Sequence, residues 1–133
     1  MNPLHLTWVL WQIILSQQSL TWVLRWILNW QISAVVKSSF FHIRQLAKVK
    51  AFLTLQHFET VIHAFITSRL DYCNALYFGV SQSSITRLQL VQNAAARLLT
   101  GVCKREHMTP ILASLHWLPE HFRVNFKILF ICF

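Results

Sequence analysis

Acidic residues are the scarcest chemistry in this chain: Glu59, Asp71, Glu106 and Glu120 are its four carboxylates in 133 residues, and they stand singly and far apart. Phosphoryl transfer on two metal ions needs carboxylates converging on Mg2+, and an activated Ser or Cys needs a base with an orienting acid. Neither a polymerase or nuclease site nor a hydrolase triad can be assembled from these four. Two glycines and three prolines leave no phosphate-cradling glycine-rich loop and too few turns for a β-sandwich or barrel. Cys73, Cys103 and Cys132 are odd in number and include no C-x-x-C pair, which excludes a disulfide framework and points to free, mostly buried thiols in a reducing compartment. Cys103, His107, His116 and His121 are spaced as C-x3-H-x8-H-x4-H. That pattern fits no common zinc module, and Leu118-Pro119 breaks it, so the histidines are expected on the surface or in the core and not on a metal. No cofactor and no small-molecule substrate is expected.

Charge is short as well. Charged residues make up 12% of the chain and hydrophobic ones 55%, against a charged share of about 25% in ordinary globular proteins. The length suits one domain plus a terminal segment. Few charges remain to cover its outside, which implies a membrane, a partner, or a remainder of the protein. What charge there is has one sign: twelve Lys and Arg give a net +8, spread from Arg25 to Lys127. Such a field favours polyanions, either nucleic acid or an anionic membrane face.

The first 24 residues carry no charge, and LTWVL occurs twice, at Leu6–Leu10 and Leu20–Leu24. An offset of fourteen residues is close to four helical turns, so both copies share a face and stack Trp8 with Trp22 along it. Residues 1–28 lack the basic n-region and small-residue cleavage site of a secretory signal. Gln17-Gln18-Ser19 interrupts the run a membrane span would need. The five tryptophans between Trp8 and Trp30 suit a helix lying in the membrane interface, and a packed or unselected segment is the bland alternative. Intracellular placement is favoured over secretion.

From residue 29 basic and apolar residues alternate. Ile32, Val35, Val36, Phe40, Ile43 and Ala47 keep helical spacing over about Gln31 to Phe52. Thr54 caps the next helix, whose stripe is Phe58, Val61, Ile62, Phe65 and Ile66 and which runs to about Tyr77. Arg69 continues that stripe, so either the helix bends near Ser68 or Arg69 is partly buried; a structural ion pair is the expected role for Arg69 and for Asp71, each with a neighbouring helix. The cleanest helix is Ile85 to Gly101, with Ile85, Leu88, Val91, Ala95, Leu98 and Leu99 on a core face, Thr86, Gln89, Asn93 and Arg97 opposite, Ser83 or Ser84 at its start and Gly101 ending it. Its Ala94-Ala95-Ala96 run lets another backbone or a nucleic-acid strand come close. Lys104, Arg105 and His107 make a basic loop, Thr109-Pro110 opens a short helix, and Leu118-Pro119 precedes a last one with Phe122, Phe126, Leu129 and Phe130 apolar and Arg123 and Lys127 paired. The terminal ILFICF reads as a helix cut in its middle. The fold class is therefore all-α: a small bundle of about five helices in residues 29–133, with an additional apolar N-terminal helix.

Four blocks, VVKSSFFHIRQLAKVKAFL, IHAFITSRLDYCNALYFG, LQLVQNAAARLLTG, and HMTPILASLHWLP followed by RVNFKILF, occur in that order. Together they resemble the segment beyond the catalytic palm in non-LTR (LINE-type) retrotransposon reverse transcriptases, over about residues 29–133. The resemblance implies a thumb and helical connection that grip a template–primer duplex while the palm does the chemistry. It makes Arg69, Gln89, Gln92, Asn93, Arg97, Lys104 and Arg105 candidates for phosphate or template contact. The palm's paired aspartates are not in this sequence, so the resemblance implies a catalytically inactive fragment with at most weak, sequence-independent binding of an RNA or DNA duplex. The alternative is a small membrane-associated protein anchored by its Trp-rich helix.

Overall fold

No glycine or proline interrupts the chain between Leu4 and Val49, so nothing stops a helix once it has begun. The structure, a computed structural model, describes residues 3–72, 74–77 and 79–132, and in it this stretch is a single helix, α1 (Pro3–Val49). At 1.5 Å per residue it is about 70 Å long. The apolar segment and the Gln31–Phe52 helix expected to follow it are thus one element, because Asn29-Trp30 contains no breaker. Pro3 stands at the first helical position, where its missing N–H costs nothing.

A 3-10 turn (Lys50–Phe52) and extended Leu53 reverse the chain into α2 (Leu55–Ile62). Thr54 caps it as expected, its hydroxyl accepting from the His57 amide at 3.4 Å. A π-helical stretch, His63–Thr67, then leads directly into α3 (Ser68–Asp71). The wide turn resolves the phase problem posed by Arg69. Ile62, Ile66 and Leu70 recur every four residues and all are buried, although a four-residue step overshoots a regular helical turn by about 40°. A π turn absorbs that overshoot. Leu70 takes the core position, and Arg69 is exposed.

Past Tyr72, which is extended, a 3-10 turn spans Asn74–Tyr77; the helix expected to reach Tyr77 therefore ends at Asp71. The reading of Cys73 lies outside the described residues. Cys103 and Cys132 are free but exposed, which corrects the expectation of mostly buried thiols.

The central helix α4 (Gln82–Thr100) starts two to three residues earlier than a cap at Ser83 or Ser84 required, with Ser81 flanking it and making no side-chain cap. Ser84 is instead buried, donating to Asn29 Oδ1 of α1 at 3.0 Å. Gly101 ends α4 in the left-handed region (φ 74°). Leu88 and Val91 are fully buried, and Ala95 nearly so, in a core shared with Ile32 and Val36 of α1, Phe58 and Ile62 of α2, and Ile66 and Leu70 beyond it. Leu46, not Ala47, closes that core from α1, and Phe65, placed in the stripe by spacing, is 45% exposed beside His42.

The Ala96 side of α4 admits α5 (Met108–Ser114), whose Ile111 and Leu112 pack on it with Val102 and Met108. His107 precedes α5, so Pro110 is its third residue rather than its first. α5 ends with the Trp117 amide on Leu112 O at 2.8 Å and His116 at φ 57°. This is a Schellman-type stop with His where Gly is usual. The last helix, α6 (Glu120–Cys132), turns Val124 and Ile128 to the core, and its Phe122, Phe126, Leu129 and Phe130 face outward.

Every described side chain from residue 4 to 27 is exposed. The chain's accessible surface is 9747 Å², whereas a compact monomer of 15.6 kDa shows about 7,250 Å². The excess belongs to this projecting arm. Removing residues 1–27 is expected to leave the melting temperature and cooperativity of the bundle unchanged by circular dichroism. A broad or lowered transition would mean that the arm is part of the folding unit.

Candidate nucleic-acid interface

The sequence-predicted contacts separate into three groups. Arg97, Lys104 and Arg105 come together where α4 ends. The left-handed Gly101 turns the chain back, and Arg97 Nη2 donates to Lys104 O at 3.5 Å, while Lys104 and Arg105 are exposed. Arg97 Nε is buried with no partner among the described residues. Lys50 joins them from the end of α1, its Nζ donating to Leu98 O at 2.5 Å and lying 5.8 Å from the Phe58 ring centroid. The C-terminus of a helix carries partial negative charge that repels phosphate. Lys50 sits on one of the carbonyls that would do so, that of Leu98. Glu106 is the one acid in the adjoining loop.

Gln89, Gln92 and Asn93 do different work. Gln89 Nε2 donates to Gln92 Oε1 (2.8 Å) and Asn93 Oδ1 (2.9 Å), Gln89 Oε1 accepts from the Glu120 amide (2.9 Å), and Gln92 Nε2 donates to Leu118 O (2.9 Å). This network ties the Leu118–Glu120 turn to α4 and satisfies the first amide of α6. Gln92 is 2% exposed. As a candidate contact it is corrected: its amide is spent inside the fold, and the face of α4 assigned to solvent is the seat of α6.

Arg69 stands apart on α3, donating to Ser38 Oγ of α1, and no acid pairs with it among the described residues. Asp71 does form an ion pair, with Arg123 of α6 at 3.5 Å, and its carbonyl accepts from Lys127 at 3.3 Å. Arg123 also reaches Glu120 Oε1 at 3.2 Å. Glu120 is wholly buried and its second oxygen has no partner among the described residues. Burial pushes its carboxyl up from 4.5 to about 7, against the pull of Arg123.

A basic row that sequence reading missed runs along α1. Lys37, Arg44 and Lys48 are exposed and, at 100° per residue, share one face with Ser33, whose hydroxyl accepts from Arg87 of α4 at 3.0 Å. Their spacing of seven and four residues was the available signal. The row ends at Lys48, and Lys50, two residues on and about 200° round the helix, points instead to the end of α4. Cys103, His107, His116 and His121 do not converge: among the described residues no three metal-binding side chains gather. Compared with protein-family models, curated proteins and solved structures, the chain finds no match.

Proposed function

We propose that this chain is a thumb-like, non-catalytic fragment of a LINE-type reverse transcriptase that binds duplex nucleic acid weakly and without sequence preference. The observation that carries the reading is the gathering of Arg97, Lys104 and Arg105 at the exposed end of α4, with Lys50 neutralising the helix terminus beside them. Cations on a bundle end hold phosphates, whose geometry carries no base readout. The block-by-block resemblance supplies the template–primer duplex as ligand, and of the four acids the two that the fold brings near each other, Asp71 and Glu120, are both engaged by Arg123.

Replacing Arg97, Lys104 and Arg105 together by Ala is expected to weaken binding to all duplexes alike and to flatten its salt dependence by about three phosphate contacts. The check is fluorescence anisotropy on duplexes of unrelated sequence. Loss for one sequence only would mean base readout. No nucleotide incorporation is expected with any template and Mg2+, and primer extension by the purified chain would refute the non-catalytic assignment.

A second reading is favoured by one observation on α1. Trp8, Trp11, Trp22, Trp26 and Trp30 fall within about 100° of one another, all are exposed, and Lys37, Arg44 and Lys48 continue the same face. Indoles at headgroup level followed by cations suit an anionic membrane surface. No described helix is long and apolar enough to cross a membrane. On this reading the chain pellets with anionic vesicles, and loss of residues 1–27 abolishes it.

A further inference from the structure

The tryptophans occupy one side of the arm, and the opposite side keeps a different order. Leu6, Ile13, Leu20 and Ile27 recur every seven residues, and Leu10, Gln17 and Leu24 each follow by four. These are the d and a positions of a heptad held over three repeats, and the duplicated LTWVL is spaced by two heptads. The six aliphatic members are 44% to 60% exposed.

This seam is not a continuation of the core face of α1. Ile32, Val36, Ser39, Ile43 and Leu46 form a seam of their own, displaced by two residues: the arm's d series would next reach Ala34, which is exposed. Two residues on a helix are about 200° of rotation. The bundle therefore cannot cover the arm, and a separate helix must. A lipid surface asks for a broad apolar face of period 3.6, whereas a seam repeating every 3.5 residues is the pattern that another helix reads.

We infer that the arm pairs with the arm of a second copy of this chain as a short coiled coil. Three observations select a second copy. A chain of net +8 resists its own kind everywhere except where it is uncharged, and residues 1–24 carry no charge, with Arg25 off the seam. The flanking positions Thr7, Val9, Ile14, Ser16, Thr21 and Val23 offer no charge that would choose a foreign helix. Gln17 lies at the central a position of the seam, so in a parallel, in-register pair it meets the other Gln17 and both amides are satisfied. Against an unrelated apolar helix it would be buried alone, at a cost. The arm has surface enough: its excess over a compact monomer is about 2,500 Å² over all faces, and covering about a third of it reaches the roughly 800 Å² that each partner of a stable interface buries.

Sedimentation equilibrium of the full chain tests the inference, with Ile13→Asp/Leu20→Asp on the seam and Trp11→Asp/Trp22→Asp on the opposite face. The parent and the tryptophan variant are expected to sediment as dimers and the seam variant as a monomer, with the bundle's melting transition unchanged in all three. Ile13→Gln/Leu20→Gln, milder for the helix, is expected to dissociate the dimer as well. Gln17→Leu is expected to tighten association, since a polar a position sets register at the expense of stability. A monomeric parent overturns the inference. So does equal dissociation by the tryptophan and seam variants, the outcome of association through indoles or through non-specific apolar contact.

Discussion

Val91→Asp is expected to lower the melting temperature of the bundle by more than about 10 °C. Val91 is 0% exposed at the centre of α4, in the core it shares with Ile32, Phe58 and Ile62. An Asp there has no cation within the apolar cluster, and burying it unpaired costs about 3 kcal/mol or more. A domain of this size has about 5–15 kcal/mol of stability in all. Circular dichroism decides: a variant as helical and as thermally stable as the parent would mean that α4 does not carry the core.

The second large effect is on the pH dependence of stability. Glu120 is buried, and its carboxyl is raised from 4.5 to about 7 because burial outweighs the guanidinium of Arg123. Between those two values the folded protein holds a proton that the unfolded chain has released. Stability therefore falls as pH rises through this window and levels off above it, by about 3 kcal/mol in total. Glu120→Gln keeps the shape and removes the titration. The measurement is denaturant unfolding of parent and variant from pH 4.5 to 8; the histidines are common to both, so the difference isolates Glu120. The variant is expected to gain on the parent as pH rises. A pH-independent difference would show that the carboxylate is solvated or fully compensated.

The all-α architecture and most of its core were legible in the sequence because helical spacing reports which face is apolar. Leu88, Val91 and Ala95 meet Phe58, Ile62 and Ile32 as that spacing requires. Spacing fails where the backbone departs from 3.6 residues per turn: the π stretch at His63–Thr67 rotates Leu70 inward and Arg69 outward. It also fails for polar residues, because an amide pattern does not distinguish a surface from a hydrogen-bonded seat. Gln89 and Asn93 read as part of a wet face, and the start of α6 sits on it. Of the candidate contacts, Arg97, Lys104 and Arg105 stay together because they flank one left-handed turn at Gly101. Arg87 was invisible because its link to the α1 row depends on a tertiary contact with Ser33, 54 residues away.

The central claim is that the basic end of the bundle grips phosphates, and the salt dependence of duplex binding tests it most directly. With Arg97, Lys104 and Arg105 each holding a phosphate, the logarithm of the association constant should fall with the logarithm of salt concentration at a slope of about −3. The slope should be the same for two duplexes of unrelated sequence. Binding that does not respond to salt, or no binding even at about 50 mM salt, where such contacts are strongest, would contradict the account.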